Sequence, residues 1–462
     1  MTTPNLLTES QMQSFIRAGY HTVKPALTPD FHGKVHESLQ DLFAGHDNPG
    51  NEILSRVPTL SDLFGDPEID GALTSILGPD YLIHRHRHCH NHDSGAAAQD
   101  MHKDYPVGGN VRDIYPRQVL ILYYPQAVTP DMGPTAIQPG SQYCLTPPQV
   151  SDEMALCCDA GTVVITHYEI WHRATENISR DTRYMVKFVG MRTKEPGSNG
   201  SSEWQSDVHQ SLDSAAPGGH VRKHVWNWYI SKEAKDASPV VASNEENEPL
   251  NELIINGQEM EHLDHLFAVS DKTESEDKAL IAALIYEAGE KYQKNLARAD
   301  YTNPSQLEMV FGISAAGNRI VGPLIETLQH DQWWARAAAA AALGALGALG
   351  QVAADAASAL AKALKDPDEW VRRNAALAIG NLGDIAATAI PDLVAALEDR
   401  RPVTRWSLSE DAFRENVMLA LLKVVPEDNR MVYAELGDFV GDSSEYVACW
   451  AKHLSSPTRM IC

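Results

Sequence analysis

The sequence predicts a multidomain α+β protein with an N-terminal antiparallel β-barrel or jelly roll, flanked by helices, and a C-terminal all-α array of repeats. Three observations support this. Segments of strand length and β-rich composition lie between residues 117 and 191, the composition shifts to Ala, Leu and Gly from about residue 274, and segments after that point repeat one another. The chain has 462 residues, and roughly 150 to 200 residues per domain gives two or three folded units.

The predicted β domain covers residues 1–231. Its helices come first and are followed by RQVLILYYP (117–125), GTVVITHYEIWH (161–172) and RYMVKFVGM (183–191), which are separated by Pro, Gly and Asn. β-branched and aromatic residues in runs of this length favour strands. The segment YISKEAKDASPVVASNEENEPLN (229–251) mixes Ser, Pro, Ala, Asn and Glu with little periodicity, which predicts a linker, placed at 232–273.

The C-terminal part contains internal repeats. WARAAAAAALGALG (334–347) aligns with WVRRNAALAIGNLG (370–383) at an offset of 36 residues. Self-similarity at a fixed period indicates a helical solenoid, and the Val-Arg-x-x-Ala-Ala pattern closed by Leu-Gly resembles HEAT repeats of the phycobilisome-lyase type. We therefore expect a HEAT-like domain at 274–425 and a helical cap at 426–462.

The charge and the apolar runs limit the partners. With 62 acidic and 38 basic residues the formal net charge is −24, which would repel phosphate backbones and anionic membrane surfaces. The longest apolar run, 337–350, is shorter than the ~20 residues needed to cross a bilayer. The N-terminus has no basic and apolar signal pattern, and the six cysteines form no paired framework. We expect a cytoplasmic protein that binds neither nucleic acid nor a membrane.

A candidate metal site follows from His102, Asp104 and His172, which lies seventy residues after His102. Positions i and i+2 of a strand point the same way, so the first two side chains can bind one ion and the third can complete a triad. Two imidazoles and one carboxylate on one face leave open coordination positions, as iron(II) oxygenases require. The alternatives are a surface His–Asp pair and a core histidine at His172.

Arg183 is the candidate co-substrate residue, because it begins the strand that follows His172. Its planar guanidinium suits the distal carboxylate of 2-oxoglutarate, whose keto acid end would chelate the iron. Arg173 and Arg180 flank the same loop and are alternatives for this role.

Four segments of the chain carry a family resemblance: LTESQMQSFIRAGYHTVKPALTPDF, QDMHKDYP, DMGPTAIQPGSQY and DAGTVVITHYEIWHRATENISRDTRYMVKF. Residues 7–231 resemble the phytanoyl-CoA dioxygenase family of iron- and 2-oxoglutarate-dependent oxygenases. The resemblance implies a double-stranded β-helix of the jelly-roll or cupin-like type, iron ligation by His102, Asp104 and His172, a salt bridge from Arg183 to 2-oxoglutarate, and O2 as oxidant. Halogenating relatives replace the acidic ligand with a small residue, so Asp104 favours hydroxylation.

A histidine run, HRHRHCHNH, places His84, His86, His88, His90 and His92 at every second residue. On an extended strand all five would face one side. They are interpreted as polar groups around the iron, as a second metal site, or as substrate contacts, for which His86 and His88 are the candidates.

The predicted function is a dioxygenase that oxidises a small-molecule metabolite and converts 2-oxoglutarate to succinate and CO2. One alternative is a cupin-like metal enzyme that does not use 2-oxoglutarate, in which Arg183 has no role. Another is an inactive oxygenase domain that serves as an interaction scaffold. The repeats are expected to bind a protein partner or a second copy of the chain.

Overall fold

The computed structural model describes residues 3–45, 48–104, 113–144, 153–196, 218–230, 274–293, 302–314, 316–347, 354–405, 411–426 and 429–455. The predicted linker, 232–273, lies outside these ranges, and the predicted domain boundaries stay predictions. We call residues 3–230 the jelly-roll unit and residues 274–455 the repeat unit.

The jelly-roll unit contains five helices and nine strands among its described residues: α1 (Glu9–Ala18), β1 (Tyr20–Val23), α2 (Pro29–Phe43), α3 (Ile53–Arg56), α4 (Pro67–Leu77), β2 (Leu82–Ile83), β3 (His88–His92), β4 (Gln118–Tyr124), β5 (Thr135–Ile137), β6 (Met154–Ala155), β7 (Thr162–His167), β8 (His172–Ala174), β9 (Arg183–Met191) and α5 (Gly219–Tyr229). The strands form a six-stranded sheet of order β1-β7-β4-β9-β2, in which β3 also pairs with β9, and a three-stranded sheet of order β6-β5-β8. All described pairs are antiparallel. Two antiparallel sheets confirm the jelly-roll prediction.

The large sheet has two apolar faces. Val119, Ile121 and Tyr123 belong to one buried cluster with helices α1 to α5, while Leu120 and Leu122 belong to the other, inside the barrel. Successive strand residues point to opposite faces, which explains why β4 is apolar at every position after Gln118. Helices therefore cover the outer face, and the inner face is left for the site.

The predicted strand 161–172 is wrong as a single element. The structure ends β7 at His167 and begins β8 at His172, so the two halves belong to different sheets. A turn separates them, because the His167 carbonyl accepts the Ile170 N–H at 3.1 Å and His167 Nδ1 accepts the Glu169 N–H at 3.1 Å. This break moves His172 into the small sheet opposite Ile137.

The repeat unit contains α6 (Glu274–Tyr292), α7 (Glu308–Ser314), α8 (Val321–Thr327), α9 (Trp333–Gly347), α10 (Ala354–Ala363), α11 (Glu369–Leu382), α12 (Ile390–Ala396), α13 (Ala412–Val424), α14 (Arg430–Leu436) and α15 (Glu445–Ser455). The repeat predicted from the sequence reappears in individual hydrogen bonds. Arg336 Nη1 donates to the carbonyls of His330 and Asp331 at 2.9 and 3.0 Å, and Arg372 Nη1 donates to those of Asp366 and Pro367 at the same distances. These partners are offset by the same 36 residues, which confirms the repeat.

Close packing inside the repeat unit explains one of its glycines. A Cβ atom at Gly344 of α9 would lie 2.8 Å from the Cα of Ala378 in α11. Real Cβ contacts are longer than this, so the two helices approach each other only because residue 344 lacks a side chain. Small residues at this crossing allow the Ala-rich stretch to form a buried core.

The repeat unit packs against the jelly-roll unit through buried polar groups. His84, which is fully buried, lies with its Nε2 3.2 Å from Oε1 of Glu415 in α13. His84 Nδ1 accepts the His86 N–H at 2.9 Å, so Nε2 carries the proton and donates to Glu415. The His84 ring stacks on Tyr446 of α15 at 5.3 Å between centroids and contacts Trp450 at 5.1 Å.

A more exposed set of contacts surrounds this buried pair. Arg85 Nε donates to Glu445 at 2.8 Å, and Asn51 Nδ2 donates to Glu445 at 3.0 Å. Lys423 and Glu195 approach to 3.5 Å on another part of the interface. The repeats are thus an integral part of the described structure and are packed against the jelly roll.

One stretch of the described residues, Glu369–Ala396, is long and apolar enough to cross a membrane by length and composition, and 44% of the 18-residue apolar window within it is buried. It comprises α11, a 3₁₀ turn from Gly383 to Ala389, and α12. These elements carry Arg372 and Arg373 and pack inside the repeat unit. The stretch therefore has the features of core helices in a helical array.

The cysteines differ from the sequence prediction at one residue. Cys89, Cys144, Cys157 and Cys158 are free, as expected. Cys449 is disulfide-bonded, so the expectation that none of the cysteines is paired is wrong there. The cytoplasmic location stays a prediction.

Replacing Glu415 with alanine should lower the free energy of unfolding by about 1–3 kcal/mol, because the His84 Nε2–H would remain buried without an acceptor. Urea denaturation of the full chain measures the change. The matched control is Glu445→Ala, which removes contacts to a half-exposed carboxylate (46% exposed) and should cost less than about 1 kcal/mol. Equal effects of the two changes would contradict a buried His84–Glu415 contact.

Candidate metal centre

Three side chains from two distant segments of the chain lie close together in the structure. His102, Asp104 and His172 each offer a ligand atom, and these atoms lie within 4.8 Å of one another. Within the described part of the chain, this is the only group of three or more His, Cys, Asp and Glu residues close enough to hold a metal ion. The predicted triad is therefore brought together by the fold.

The backbone positions both imidazoles. His102 and His172 form an isolated antiparallel bridge, in which each N–H donates to the other residue's carbonyl at 2.9 Å. His102 Nδ1 donates to the Asp100 carbonyl at 2.8 Å, and His172 Nδ1 donates to the Ile170 carbonyl at 3.0 Å. Because a carbonyl accepts at Nδ1, the proton is there, and both Nε2 atoms are left with a lone pair for a metal.

Asp104 is ionised and held by a lysine. Lys187 Nζ donates to Asp104 Oδ2 at 2.7 Å, and Asp104 Oδ1 lies 3.8 Å from His172 Nε2. Burial raises the pKa of the Asp104 carboxyl, but Lys187 and His172 outweigh this effect and hold it well below its usual range. Burial also lowers the pKa of His172, so its imidazole stays neutral, as metal ligation requires.

Lys187 was missed by the sequence analysis. It lies four residues after Arg183 on β9, and the strand between them is otherwise apolar. The sequence did carry a signal for it. Lys187 is a single lysine in an apolar strand, and its even spacing from Arg183 puts both side chains on the same face.

Arg183 is buried in the jelly-roll unit at the start of β9. Its side chain is 2% exposed, and its Nε donates to the Gly133 carbonyl at 2.9 Å. Its Nη1 is shielded from solvent and has no hydrogen-bond partner among the residues that the structure describes. Burial lowers the pKa of the guanidinium. An unpartnered buried donor on a cation fits a bound carboxylate.

The two alternative arginines are differently placed. Arg173 forms a two-point ion pair with Glu153, with Nε donating at 2.8 Å and Nη2 at 2.6 Å. Arg180 is exposed to solvent. Neither side chain therefore offers a free, buried guanidinium, and Arg183 is the one of the three that fits the role.

The members of the histidine run contact different parts of the molecule. His84 contacts the repeat unit, whereas His92 Nε2 donates to the Thr175 carbonyl at 2.8 Å. His86, His88 and His90 form a row between them, with ring centroids 5.5 and 4.3 Å apart. In β3, which begins at His88, the residues His88, His90 and His92 lie opposite Lys187, Met185 and Arg183 and therefore point to one side of the sheet, as expected for an extended strand. None of the five belongs to a described metal-ligand group.

A cavity of ≈ 80 Å³ lies between the jelly-roll unit and the repeat unit, large enough for several water molecules. Its walls include His167 and Glu169 from the turn that precedes His172, and Leu419 and Lys423 from α13. Glu169 Oε2 accepts from Lys103, the residue between two of the triad positions, at 3.3 Å. The repeat unit thus forms part of the surroundings of the metal centre.

A jelly roll that brings two histidines and one aspartate together can hold a metal ion, and this donor set suits iron(II) oxygenases. Residues 3–185 match the phytanoyl-CoA dioxygenase (PhyH) family, and residues 322–410 match HEAT repeats. The chain therefore carries a PhyH domain followed by HEAT repeats, as the sequence resemblance implied.

Solved structures similar to this chain include EctD from S. alaskensis with 2-oxoglutarate and 5-hydroxyectoine, at 19% identity and a TM-score of 0.35 over 42% of this chain and 79% of that one. The 2-oxoglutarate-dependent carbocyclase SnoK from nogalamycin biosynthesis is 16% identical, with a TM-score of 0.34 over 42% and 88%. Apo HygX from Streptomyces hygroscopicus is 13% identical, with a TM-score of 0.35 over 41% and 88%. No curated protein sequence matches the chain significantly.

Replacing Asp104 with alanine should weaken binding of Mn(II) at least about a hundredfold, because the carboxylate is the one anionic ligand of the triad. Isothermal titration of the metal-free full chain measures this affinity. The control is Asp159→Ala, which removes an exposed carboxylate paired with Lys24 and should leave metal binding unchanged. Tight Mn(II) binding by the Asp104 variant would rule out the triad as the metal site.

Stability should fall as the pH is lowered from about 6.5 toward 4. Burial, followed by the charge of Lys103, lowers the pKa of His167 to about 3, whereas an unfolded histidine titrates near 6.5. The unfolded state therefore takes up the proton first, and each such group costs about 1.4 kcal/mol per pH unit in this window. His167→Gln should flatten the pH dependence of the unfolding free energy by this amount, and an unchanged slope would count against a neutral buried His167.

Proposed function

We propose that this chain is an Fe(II)- and 2-oxoglutarate-dependent dioxygenase that hydroxylates a small-molecule metabolite and converts 2-oxoglutarate to succinate and CO2. The observation that carries the proposal is the buried guanidinium of Arg183, which has an unpartnered Nη1 and lies in the same barrel as the His102, Asp104 and His172 triad.

The donor set fits iron(II). His102 and His172 present Nε2 atoms, and Asp104 presents Oδ1 while Lys187 holds Oδ2. Two imidazoles and one monodentate carboxylate on one side leave coordination positions for a chelating keto acid and for O2. Bound iron would supply the activation of O2 and the oxidation chemistry, while the side chains supply orientation and a shielded cavity.

Arg183 would bind the distal carboxylate of 2-oxoglutarate. A buried cation without a charged partner is unfavourable, so a carboxylate that pairs with it gains both Coulomb attraction and charge-assisted hydrogen bonds. The Gly133 carbonyl fixes the guanidinium through Nε and leaves the other nitrogen atoms for the ligand. This arrangement would orient the co-substrate along the barrel with its keto acid end toward the triad.

Asp104 bears on the outcome of the reaction. A carboxylate at this position occupies the coordination site that a halide would need, so hydroxylation is proposed rather than halogenation.

The two alternatives differ in what they require of these residues. A cupin-like metal enzyme that does not use 2-oxoglutarate gives the buried Arg183 no function. An inactive scaffold requires neither an assembled triad nor neutral imidazoles. Binding of a protein partner or a second copy of the chain through the HEAT repeats stays a prediction; within the chain, the repeats contact the jelly-roll unit.

Arg183→Met should weaken 2-oxoglutarate binding by about ten- to a hundredfold, because hydrogen bonds to charged groups contribute about 1.5–3 kcal/mol. The measurement is an anaerobic titration of the Fe(II)-loaded full chain. Arg173→Met removes a guanidinium already paired with Glu153 and should bind 2-oxoglutarate like the unaltered chain. Unaltered 2-oxoglutarate affinity in the Arg183 variant would favour the cupin-like alternative.

Iron-dependent succinate formation should also be abolished by His102→Ala.

A further inference from the structure

The histidine row shares a face with the co-substrate arginine and the triad lysine. In the register of β3 and β9, His88 lies opposite Lys187 and His92 lies opposite Arg183. Residues directly opposite on antiparallel strands point to the same side of the sheet. Since Lys187 reaches Asp104 at 2.7 Å, this side faces the metal centre, and His88 and His90 lie on the same side as Lys187.

The row consists of neutral imidazoles beside one cation. Burial, followed by the charge of Lys187, lowers the pKa of His86 to about 3 and that of His88 to about 4. Burial also lowers the pKa of His90. A neutral imidazole offers one donor and one acceptor, so the row provides hydrogen bonds and Lys187 provides the charge.

These groups have unused hydrogen-bonding capacity. His90 Nε2 is shielded from solvent and has no partner in the described part of the chain. Lys187 uses one of its three N–H donors on Asp104, and the structure shows no second hydrogen-bond partner for it among the described residues. Its side chain is only 8% exposed, so water does not readily satisfy the remaining donors.

The charges at this site favour an anion. With a divalent metal and 2-oxoglutarate bound, the positive charges are two on the metal and one each on Lys187 and Arg183. The negative charges are one on Asp104 and two on the co-substrate. The site therefore carries one excess positive charge. An excess positive charge in a buried cavity is unfavourable. A substrate with one negative charge would neutralise it.

We propose that His86, His88, His90 and Lys187 form a subsite for a carboxylate group of the prime substrate, separate from the site at Arg183. This inference rests on the proposed function and adds to it the substrate class: a small carboxylic acid. Lys187 pairs with the carboxylate while it continues to hold Asp104, and the imidazoles donate to the remaining oxygen lone pairs. The carboxylate thereby anchors the substrate beside the metal.

The test uses the full chain loaded with Ni(II) in place of iron, which prevents turnover, and saturated with 2-oxoglutarate. The probes are matched pairs of an acid and its primary amide: hexanoate with hexanamide, and 3-phenylpropionate with 3-phenylpropionamide. Isothermal titration should show each acid binding at least about tenfold more tightly than its amide, since a charged hydrogen bond is worth about this much. If neither acid binds better than its amide, the proposal is overturned.

Variants at Lys187 identify the source of the preference. Lys187→Met should remove the preference for the acids, whereas Lys187→Arg should retain it. The control, Lys194→Met, removes an exposed lysine just after β9 (56% exposed) and should behave like the unaltered chain. A preference that survives in the Lys187→Met variant would mean that the metal or another group binds the acid, which also overturns the proposal.

A second titration separates the prime substrate from the co-substrate as the source of the carboxylate. The Ni(II)-loaded Lys187→Met variant should lose at least about tenfold more affinity for hexanoate than for N-oxalylglycine, an inert analogue of 2-oxoglutarate. A loss of N-oxalylglycine affinity as large as the loss of hexanoate affinity would show that Lys187 serves the co-substrate instead. Failure of the unaltered chain to bind N-oxalylglycine would contradict the proposed function, whereas equal binding of acid and amide by a chain that does bind N-oxalylglycine would overturn this inference alone.

Discussion

The register of strand β9 is the constraint on which the rest of the site depends. This strand pairs with β2, β3 and β4 and contributes both Arg183 and Lys187. Because side chains alternate along a strand, two residues four positions apart must face the same side, about 13 Å from each other along the chain. A shift of one residue would turn both cations out of the barrel and into the apolar layer beneath the helices.

Much of the site could be predicted from the sequence, because its signals are local. His102 and Asp104 occur in one motif, and Arg183 begins a strand of clear β composition, so spacing and residue type were sufficient. The repeat was visible for a related reason, because two helices 36 residues apart carry an arginine at the equivalent position. In the structure each arginine donates to an equivalent pair of carbonyls in its own repeat.

The parts that could not be predicted depend on contacts between distant segments. The break between β7 and β8 arises from a turn in which His167 accepts two backbone hydrogen bonds, and the β-rich composition of residues 161–172 conceals it. The histidine run looked uniform, but its members contact different parts of the molecule. Nothing near His84 in the sequence indicates that its partner is Glu415, since the two residues are 331 positions apart.

The separation of His84 from Glu415 has a consequence for synthesis. A ribosome that adds about 5–20 residues per second completes the 331 intervening positions roughly 20 to 60 s after His84 is made. During that interval the strands of the barrel can pair, but the repeat-unit helices that cover His84 have not yet been made. The His84 ring is then exposed to water or to a chaperone. The jelly-roll unit therefore cannot bury His84 until helices α13 and α15 have been synthesised.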